Sequence, residues 1–488
     1  MDEVLATLKK IHATEKKIKY PTYVVGGFVR DWLLEKGGRR DIDCVVEGSG
    51  LAFAKAFDTV MKEAGSLVEF PDFDTARYVM GESENQLVVE FAGARSESYH
   101  TTSRKPEVTS ATLEQDLARR DFTINAMAVP VSFFTGRTKP TIANLRKKVV
   151  DPFDGQGDLA RKTIRTPLNP DTTFSDDPLR MLRAVRFASQ LNFAIDQTTL
   201  QSIHINRTRL RIISGERIQE ELFKLLATDV PSVGLTLLFQ TKLLDSILPE
   251  VSALDGVEEI FGHQHKNNLI HSFKVVDNIA TWSPKPWLRL AGLLHDIGKP
   301  GTKKFVPKVG WTFHGHEHLG KKLVFGISRR LKFSRDLTDY LAKLIRWHLQ
   351  PIALMDEGIT DSAVRRLVVT MQDLLDDLLI LGRGDITTGN PHKKEKRLKN
   401  YDHLKAKIAE VLERDKLRAF QSPFRGDEIM SVCGLKPGPT VGKIKEAIEE
   451  AILDGIIPNE YEAAKEYFFK IKDTFVSSAE PWESAANT

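Results

Sequence analysis

The sequence contains few cysteines and no long apolar segment, and each absence excludes a class of protein. Two cysteines, Cys44 and Cys433, occur in 488 residues, which argues against a disulfide framework and is typical of a reducing compartment. No run of about 18 apolar residues is present, so we expect no membrane-spanning helix. The first residues, MDEVLATLKKIHATEKK, alternate charged and apolar side chains without an apolar h-region. We therefore expect no signal peptide and a cytoplasmic location.

The sequence also lacks a strong charge of either sign. Lysine and arginine total 70 against 66 aspartates and glutamates, a net charge of +4, which is too weak for a general polyanion binder. Basic residues are nevertheless grouped, among the arginines between residues 180 and 217 and in HKKEKRLKNYDHLKAK from residue 392. Such groups are suited to an RNA backbone, and a solvated helix face explains any one of them equally well.

The most informative segment is YVVGGFVRDWLLEKGGRRDIDCVVEG, from Tyr23 to Gly48. Its glycine pair lets backbone approach a phosphate, and the helix that begins there attracts an anion. Asp41 and Asp43 alternate along a second apolar strand, so both carboxylates project from one face about 6–7 Å apart. Paired carboxylates suit Mg²⁺. Asp-x-Asp alone is equally compatible with a solvated strand end, but the whole segment predicts a nucleotide triphosphate and metal site.

Further segments follow in order along the chain. LVVEFAGARSESY (residues 87–99) predicts a strand on which Glu90 supplies a third carboxylate, and LARRDFTINAMAV (117–129), read alone, predicts an amphipathic helix. FSDDPLRMLRAVRFASQLNF (174–193) predicts a helix capped by Asp177. Its arginines recur every three residues and form one basic stripe. SGERIQEEL (214–222) is compatible with a surface ion-pair cluster.

Together these segments resemble the signature of the DNA polymerase β-like nucleotidyltransferase superfamily. More narrowly, they resemble its class II branch, which contains the CCA-adding tRNA nucleotidyltransferases and the bacterial poly(A) polymerases. The resemblance implies catalytic roles for Asp41, Asp43 and Glu90, with Mg²⁺ on the two aspartates. It implies nucleotide binding by Gly26, Gly27, Arg30, Asp31, Arg120, Asp121, Asn125, Asp177, Arg180, Arg183 and Arg186.

Within this set, the resemblance implies that Asp177 and Arg180 read the Watson–Crick edge of the incoming base. A carboxylate accepts from an exocyclic amine and a guanidinium donates to a ring nitrogen or carbonyl, so the pair suits C and A. The family usually has glutamate where this chain has Asp176. The helix with Glu216, Arg217 and Glu220 matches the one that braces the templating helix in the family.

A second centre is indicated by histidines, of which eight of 13 fall between residues 263 and 348. A lone histidine on an apolar face is usually a core residue, but here the order resembles that of the HD phosphohydrolase domain. The resemblance implies a divalent metal, and imidazole ligands favour nickel, cobalt or manganese over magnesium. His314 and His318 are alternatives to His316. The implied ligands are His271, His295, Asp296, His316, His348 and Asp385.

The predicted fold class is α+β, because strand signals are confined to about the first 150 residues and helical periodicity prevails beyond Asp158. We expect a polymerase β-like nucleotidyltransferase head of mixed sheet and helices, followed by helical domains. The predicted ranges are the head at 1–155, an all-α neck with the templating helix at 156–235, an HD body at 236–392, a helical tRNA-binding tail at 393–475 and disorder at 476–488.

The predicted function is template-independent addition of CCA, from CTP and ATP, to the 3′ end of tRNA by two-metal phosphoryl transfer. A metal-dependent phosphohydrolase side activity is expected of the HD body. Poly(A) polymerase and CC-only or A-only addition remain alternatives. From another class, the chain is also compatible with an HD phosphohydrolase whose head only binds RNA. We expect tRNA, ATP and CTP as partners, with no membrane and no obligatory protein partner.

Overall fold

The chain forms two compact units, Met1–Pro249 and Glu250–Thr488. The structure is a computed structural model, and the α+β class predicted from the sequence is confirmed in it. The finer division into head, neck, body and tail stays a prediction. The described residues are 2–37, 40–62, 64–81, 86–98, 107–136, 141–260, 263–264, 267–356, 360–415 and 422–483.

The first unit is built on a six-stranded mixed sheet with the strand order β3-β4-β5-β2-β1-β8. β2 and β5 run parallel and the other neighbours run antiparallel. β6 and β7 form a separate antiparallel pair. The strands are β1 (Thr22–Val25), β2 (Asp41–Val46), β3 (Ser66–Phe70), β4 (Thr75–Met80), β5 (Leu87–Gly93), β6 (Arg95–Ser98), β7 (Glu107–Ser110) and β8 (Ala128–Pro130).

The rest of the first unit is mainly helical, and its helices are numbered in chain order. They are α1 (Asp2–Ile18), α2 (Gly27–Leu33), α3 (Gly50–Met61), α4 (Leu113–Ala118), α5 (Ile142–Lys148), α6 (Gly155–Arg161), α7 (Pro170–Asp176), α8 (Leu179–Leu191), α9 (Gln197–Asn206), α10 (Gly215–Leu226), α11 (Pro231–Gln240) and α12 (Leu243–Ile247). The chain passes the unit boundary in α13 (Pro249–Ser252).

One face of the sheet is closed by aromatic packing against α3. Phe53 lies with its ring centroid 5.0 Å from that of Phe91, and Phe57 lies 5.1 Å from both Phe91 and Tyr78. All four rings are fully buried. Side chains alternate along a strand, so the residues of β2 that point away from this layer must face the other side of the sheet.

Residues 117–129 do not form the amphipathic helix that their periodicity predicts. α4 ends at Ala118, a 3₁₀ turn covers Thr123–Asn125, and β8 follows. The carboxylate of Asp121 accepts the Phe122 N–H and the Asn125 amide, and this local turn competes with helical hydrogen bonding. The prediction of a helix was wrong. The end of the segment pairs as β8 with β1, and local periodicity does not contain this tertiary contact.

The described residues of the second unit are helical apart from two short antiparallel strand pairs. Its elements are α14 (Asn268–Ala280), α15 (Pro286–Leu294), α16 (Lys299–Thr302), α17 (His316–Leu331), α18 (Arg335–Trp347), α19 (Gln350–Asp356), α20 (Asp361–Met371), α21 (Leu375–Gly384), α22 (Pro391–Asp415), α23 (Gly426–Cys433), α24 (Pro439–Leu453) and α25 (Tyr461–Val476). Among the residues described, none of the helices of the chain has the length and apolar character needed to cross a membrane.

Strands are not confined to the first 150 residues as predicted. Three short pairs occur later, and each strand has only two or three residues, too few for a period-two pattern to be visible in the sequence. They are β9 (Thr163–Ile164) with β10 (Ala194–Ile195), β11 (Glu259–Ile260) with β12 (His263–Gln264), and β13 (Lys304–Val306) with β14 (Gly310–Thr312).

The disorder predicted from residue 476 onwards does not extend to Pro481–Glu483, which form a 3₁₀ turn. Glu483 is buried and its carboxylate accepts both the N–H and the hydroxyl of Thr440 at 2.8 Å. This contact joins the turn to the start of α24. Composition indicated disorder here, but the turn is tied to the fold by these bonds and by the Glu483 carbonyl oxygen, which accepts the Lys436 N–H at 2.7 Å.

Candidate active site and metal centre

A cavity of about 800 Å³ opens beside the two aspartates of β2 in the first unit. Most of the predicted nucleotide-binding residues line it, together with Asp41 and Asp43. Glu90, Asp177 and Arg180 are not among its described lining residues. The lining consists of Gly26, Gly27, Arg30, Asp31, Lys36, Gly37, Asp41, Asp43, Arg120, Asp121, Asn125, Arg183, Arg186, Phe187, Gln190, Leu191, Lys224, Ala227 and Thr228.

The three predicted catalytic carboxylates lie on one face of the sheet. Ile42 and Cys44 are buried on the other face, so Asp41 and Asp43 point outward. Glu90 is the β5 partner of Asp43 in the parallel register, which directs its side chain to the same face. Its carboxylate accepts the Nε–H of Arg77 at 2.7 Å.

Gly26 is required at the edge of the cavity because it has a φ of 71° and close polar neighbours. A Cβ there would lie 3.1 Å from a guanidinium nitrogen of Arg120 and 3.7 Å from a carboxylate oxygen of Asp43. A side chain would therefore be strained and would crowd both groups. The first glycine of the pair therefore has a steric reason in the fold.

A chain of charge-assisted hydrogen bonds orders the cavity wall. Buried Arg30 donates to Asp31 at 2.7 Å and to the side-chain oxygen of Asn125 at 2.8 Å. The Asn125 amide donates to Asp121, which also accepts two bonds from Arg183 at 2.8 and 2.6 Å. Burial raises the pKa of Asp121, but the Arg183 charge and these bonds outweigh it and lower the pKa to about 2. Asp121 is therefore ionised and holds Arg183 directly and Arg30 through Asn125.

Arg120 reaches the cavity from a different anchor. The fully buried carboxylate of Asp116 accepts Arg119 at 2.7 Å and Arg120 at 3.1 Å. Burial opposes ionisation of Asp116, and the two arginines nevertheless lower its pKa. Sequence reasoning missed Asp116. The available signal was its position four residues before Arg120, because side chains four residues apart meet on one face of a helix.

A second residue that sequence reasoning missed is Glu221 on α10. It is buried and accepts Arg186 Nε at 2.6 Å, and Arg183 lies 3.6 Å from its other oxygen. Burial lowers the pKa of Arg186, against the opposing charge of Glu221. The neighbouring Glu220, which the sequence analysis assigned to the bracing helix, is exposed. Helical periodicity contains the signal, because Glu221 lies on the same face as buried Ile218 and Leu225.

Asp177 and Arg180, the predicted base-reading pair, both bond to protein groups. Asp177 accepts the Leu179 N–H at 3.1 Å and Arg217 at 2.8 Å. Arg180 donates to the Arg119 carbonyl oxygen at 2.7 Å. α8 begins at Leu179, so the N-cap position is one residue later than predicted, yet Asp177 still takes an N–H of the first turn.

In the second unit, all six predicted HD side chains come together. The structure selects His316, which is buried, over His314 and His318, which are exposed. Asp296 is central, with one carboxylate oxygen near two histidines and the other near the remaining two. The Nε2 atoms lie at 3.6 Å (His271) and 3.2 Å (His295) from Oδ2, and at 3.4 Å (His316) and 3.9 Å (His348) from Oδ1, while Asp385 lies 2.9 Å from His271.

Helix ends position this cluster. His295, His348 and Asp385 follow the last residues of α15, α18 and α21, and His316 opens α17. A Cβ on Gly298 would lie 2.1 Å from the carbonyl oxygen of His316. The glycine therefore lets the start of α17 approach the His295-Asp296 segment.

The donor set fits a metal ion. The Nδ1–H groups of His295, His316 and His348 donate to carbonyl oxygens three residues earlier, at 2.7 to 2.8 Å. Such bonds fix the tautomer and leave the Nε2 lone pair to a metal. His295 Nε2 is buried without a hydrogen bond among the described residues. Asp296 belongs to two sets of three side chains, and within each set the ligand atoms lie within 4.8 Å of one another. One set adds His271 and His295, and the other adds His316 and His348.

The protonation states of Asp296, Asp385 and His348 agree with this fit. Burial opposes ionisation of both carboxylates, but His295 holds the pKa of Asp296 well below its usual range and His271 does the same for Asp385. Burial and the charge of His295 lower the pKa of His348 to about 4. Against its burial, Asp296 raises the pKa of His295 to about 10, so without a metal ion this imidazole is protonated and a bound metal would replace its Nε2 proton. Ionised carboxylates and a neutral imidazole are the forms that coordinate metal.

Three family models match consecutive parts of the chain. They are described as "Poly A polymerase head domain" at residues 22–165, "Probable RNA and SrmB- binding site of polymerase A" at residues 192–254 and "HD domain" at residues 268–380. The order agrees with the resemblance inferred from the motifs. Nucleotidyltransferases and HD domains of these families are metal-dependent.

Curated relatives cover most of the chain. The chain is 32% identical to an A-adding tRNA nucleotidyltransferase of Deinococcus radiodurans (72% of this chain, 78% of the relative). It is 32% identical to a multifunctional CCA protein of Neisseria gonorrhoeae (67% and 73%) and 30% identical to a CC-adding tRNA nucleotidyltransferase of Thermus thermophilus (90% and 92%). Among solved structures, the fold is similar to that of the Bacillus stearothermophilus CCA-adding enzyme in complex with CTP, with a TM-score of 0.63, 22% identity and coverage of 98% and 99%.

The position of Glu221 generates a prediction about the stability of the first unit. In Glu221→Ala, Arg186 is left buried without its carboxylate, and breaking a buried ion pair costs about 3–5 kcal/mol. The matched control is Glu220→Ala, whose side chain is 69% exposed; we expect it to change stability by less than about 0.5 kcal/mol. Urea unfolding of the full chain measures both, and equal destabilisation by the two variants would contradict the assignment.

Proposed function

The chain belongs to the tRNA nucleotidyltransferase family, and we propose that it adds CCA from CTP and ATP to the 3′ end of tRNA without a nucleic-acid template. The observation that carries the proposal is the cavity in which Asp41 and Asp43 stand beside a wall of arginines. We place the activity in the cytoplasm, in agreement with the two free cysteines. The curated relatives include A-adding, CC-adding and multifunctional CCA proteins, so the family alone leaves the product open.

In the proposed reaction, Asp41 and Asp43 hold Mg²⁺, which supplies activation of the primer hydroxyl and stabilisation of the leaving pyrophosphate. Arg30, Arg120 and Arg183 bind the triphosphate. Asp121 holds Arg183, Asp116 holds Arg120, and Asp31 and Asn125 hold Arg30 before the nucleotide arrives, so little reorganisation is needed. Asp31, Asn125, Arg186 and the glycines complete the binding site.

Two alternatives have specific support. CC-only addition is favoured by the relative from Thermus thermophilus, which is matched over 90% of this chain. Poly(A) addition is compatible with the head-domain match. A head that only binds RNA is disfavoured, because the Asp-x-Asp pair faces an open cavity lined by arginine and lysine side chains.

The product is tested on tRNAs that lack none, one, two or three terminal nucleotides, with each NTP supplied separately and the products sequenced. We expect two additions from CTP followed by one from ATP. Asp43→Ala should lose more than nine tenths of the turnover while tRNA binding is retained, because the carboxylate holds metal and does not hold RNA. Asp245→Ala, at an exposed position on α12, is the control. Retention of a tenth of wild-type turnover by Asp43→Ala would refute the catalytic assignment.

Base selection by Asp177 and Arg180 is tested separately. We expect Asp177→Ala combined with Arg180→Ala to raise UTP or GTP incorporation relative to CTP, since a base contact is worth about 1–3 kcal/mol of discrimination. The ratio of kcat/KM values is the readout, because the variant also loses the contacts to Arg217 and Arg119. Arg217→Ala breaks only the ion pair of Asp177 and should leave the ratio unchanged. Unaltered selectivity in the double variant would place base reading elsewhere.

For the HD centre, we propose that the histidine cluster binds nickel, cobalt or manganese and hydrolyses a phosphoester, such as a 2′,3′-cyclic phosphate at a damaged tRNA end. The support is the donor set: four imidazoles turned inward by bonds at Nδ1 and two ionised carboxylates. Imidazole-rich sites favour later transition metals over Mg²⁺.

Metal titration with elemental analysis tests this proposal. Wild-type protein should bind Ni²⁺, Co²⁺ or Mn²⁺ more tightly than Mg²⁺, and His295→Ala should lose both the metal and phosphoesterase activity. His318→Ala is the control, because this exposed histidine is outside the cluster. Asp296→Ala should leave nucleotide addition intact. Failure of the wild type to take up metal, or hydrolysis that persists in His295→Ala, would overturn the proposal.

A further inference from the structure

The sheet face that carries Asp43 continues beyond the cavity as a row of paired side chains. In the register, Glu90 lies beside Asp43, Arg77 beside Glu90, and Val68 beside Arg77. Paired residues on neighbouring strands project from the same face. The row therefore crosses β2, β5, β4 and β3 and ends at the edge of the sheet.

This row lies on the opposite side of Asp43 from the glycine pair of the cavity. Gly26 follows β1, which neighbours β2 on one side, whereas β5 neighbours β2 on the other. In phosphoryl transfer the attacking and leaving oxygens are roughly in line. With a triphosphate bound on the β1 side, as in the proposed function, the side of Asp43 over β5 and β4 is left for the attacking hydroxyl.

We propose that this open face binds the 3′ end of the RNA primer, with Arg77 binding a terminal phosphate and Phe70 and Phe73 contacting the last sugars or bases. The inference rests on the proposed function and extends it by assigning the side from which RNA enters. It also assigns a substrate-binding role to a residue outside the nucleotide cavity.

The chemistry of the face fits a nucleic acid strand. The Arg77 side chain is 56% exposed, and it uses Nε to bind Glu90, while the rest of the guanidinium presents donors suited to phosphate. Its central carbon lies 5.8 Å from the centroid of the Phe70 ring. Phe70 and Phe73 are 38% and 41% exposed, and exposed aromatic rings beside a cation are stacking surfaces for single-stranded RNA.

The turn that carries Phe73 is held in place by a second arginine. Arg95 donates to the Phe73 carbonyl oxygen at 2.8 Å and lies 3.3 Å from the hydroxyl of Thr75. These bonds join the end of the turn to β6. The aromatic surface is therefore part of the folded sheet edge.

Electrostatics supplies the reason for a cation in this row. Asp41, Asp43 and Glu90 place three carboxylates on one face, which repels an approaching phosphodiester. The hydrogen bond and charge of Glu90 raise the pKa of Arg77, and Asp43 and Asp41 add to the shift, so Arg77 lies within the field of all three. Arg77 can bridge Glu90 and a phosphate without leaving the row.

Steady-state kinetics with tRNA lacking its last nucleotide provides the first test. Arg77→Ala should raise the KM for tRNA about tenfold or more, the value expected for loss of a charge-assisted bond, with the KM for the NTP and the thermal midpoint unchanged. Arg77→Lys should recover part of the loss. The control Lys55→Ala breaks a comparable exposed ion pair with Glu69, on the face covered by α3, and should change neither KM.

A second test assigns the phosphate contact. Replacing a terminal phosphodiester of the primer with an uncharged methylphosphonate should weaken binding to wild type at one of the last two linkages. The same replacement should have little further effect in Arg77→Ala, because the two changes remove one interaction. Equal penalties in both proteins, or an unchanged tRNA KM in Arg77→Ala, would overturn the inference. If the wild type added no nucleotide to any tRNA, the proposed function would fail instead.

Discussion

Ile42 and Cys44 are buried against the aromatic layer of α3 and β5, and this packing determines where the carboxylates of β2 point. Because alternate residues of a strand face opposite sides, burial of these two leaves Asp41 and Asp43 on the open face. The parallel register with β5 adds Glu90 to that face. The proposed nucleotide site on one side of Asp43 and the proposed primer surface on the other both depend on this alternation.

Buried charges are compensated differently in the two units. Around the cavity, arginines pair with carboxylates, and Asp121, Asp116 and Glu221 each hold one or two guanidinium groups. In the HD cluster, two carboxylates face four imidazoles, and His295 Nε2 has no hydrogen bond among the described residues. Guanidinium groups are always protonated and suit phosphate, whereas neutral imidazoles offer lone pairs and suit metals. This difference supports separate chemistry in the two units.

Sequence reasoning worked where a pattern is local and failed where distant contacts decide. The strand with Asp41 and Asp43 and the helix with Arg180 to Arg186 follow from periodicity, and they are present. Residues 117–129 have a helical pattern, but strand pairing by β8 prevails. The sequence analysis assigned Glu220, whereas Glu221 makes the buried bonds, because burial depends on what packs against α10.

The sequence by itself determined the family and the order of its motifs, since these are carried by contiguous residues whose spacing survives without a structure. It also named six HD side chains from helices far apart in the chain. Only the tertiary structure decided which of His314, His316 and His318 is turned inward, that Asp177 and Arg180 bond to protein groups, and that Arg77 stands in register with Glu90. The physical reason is that burial and strand register are properties of the packed chain, and residues distant in sequence set them jointly.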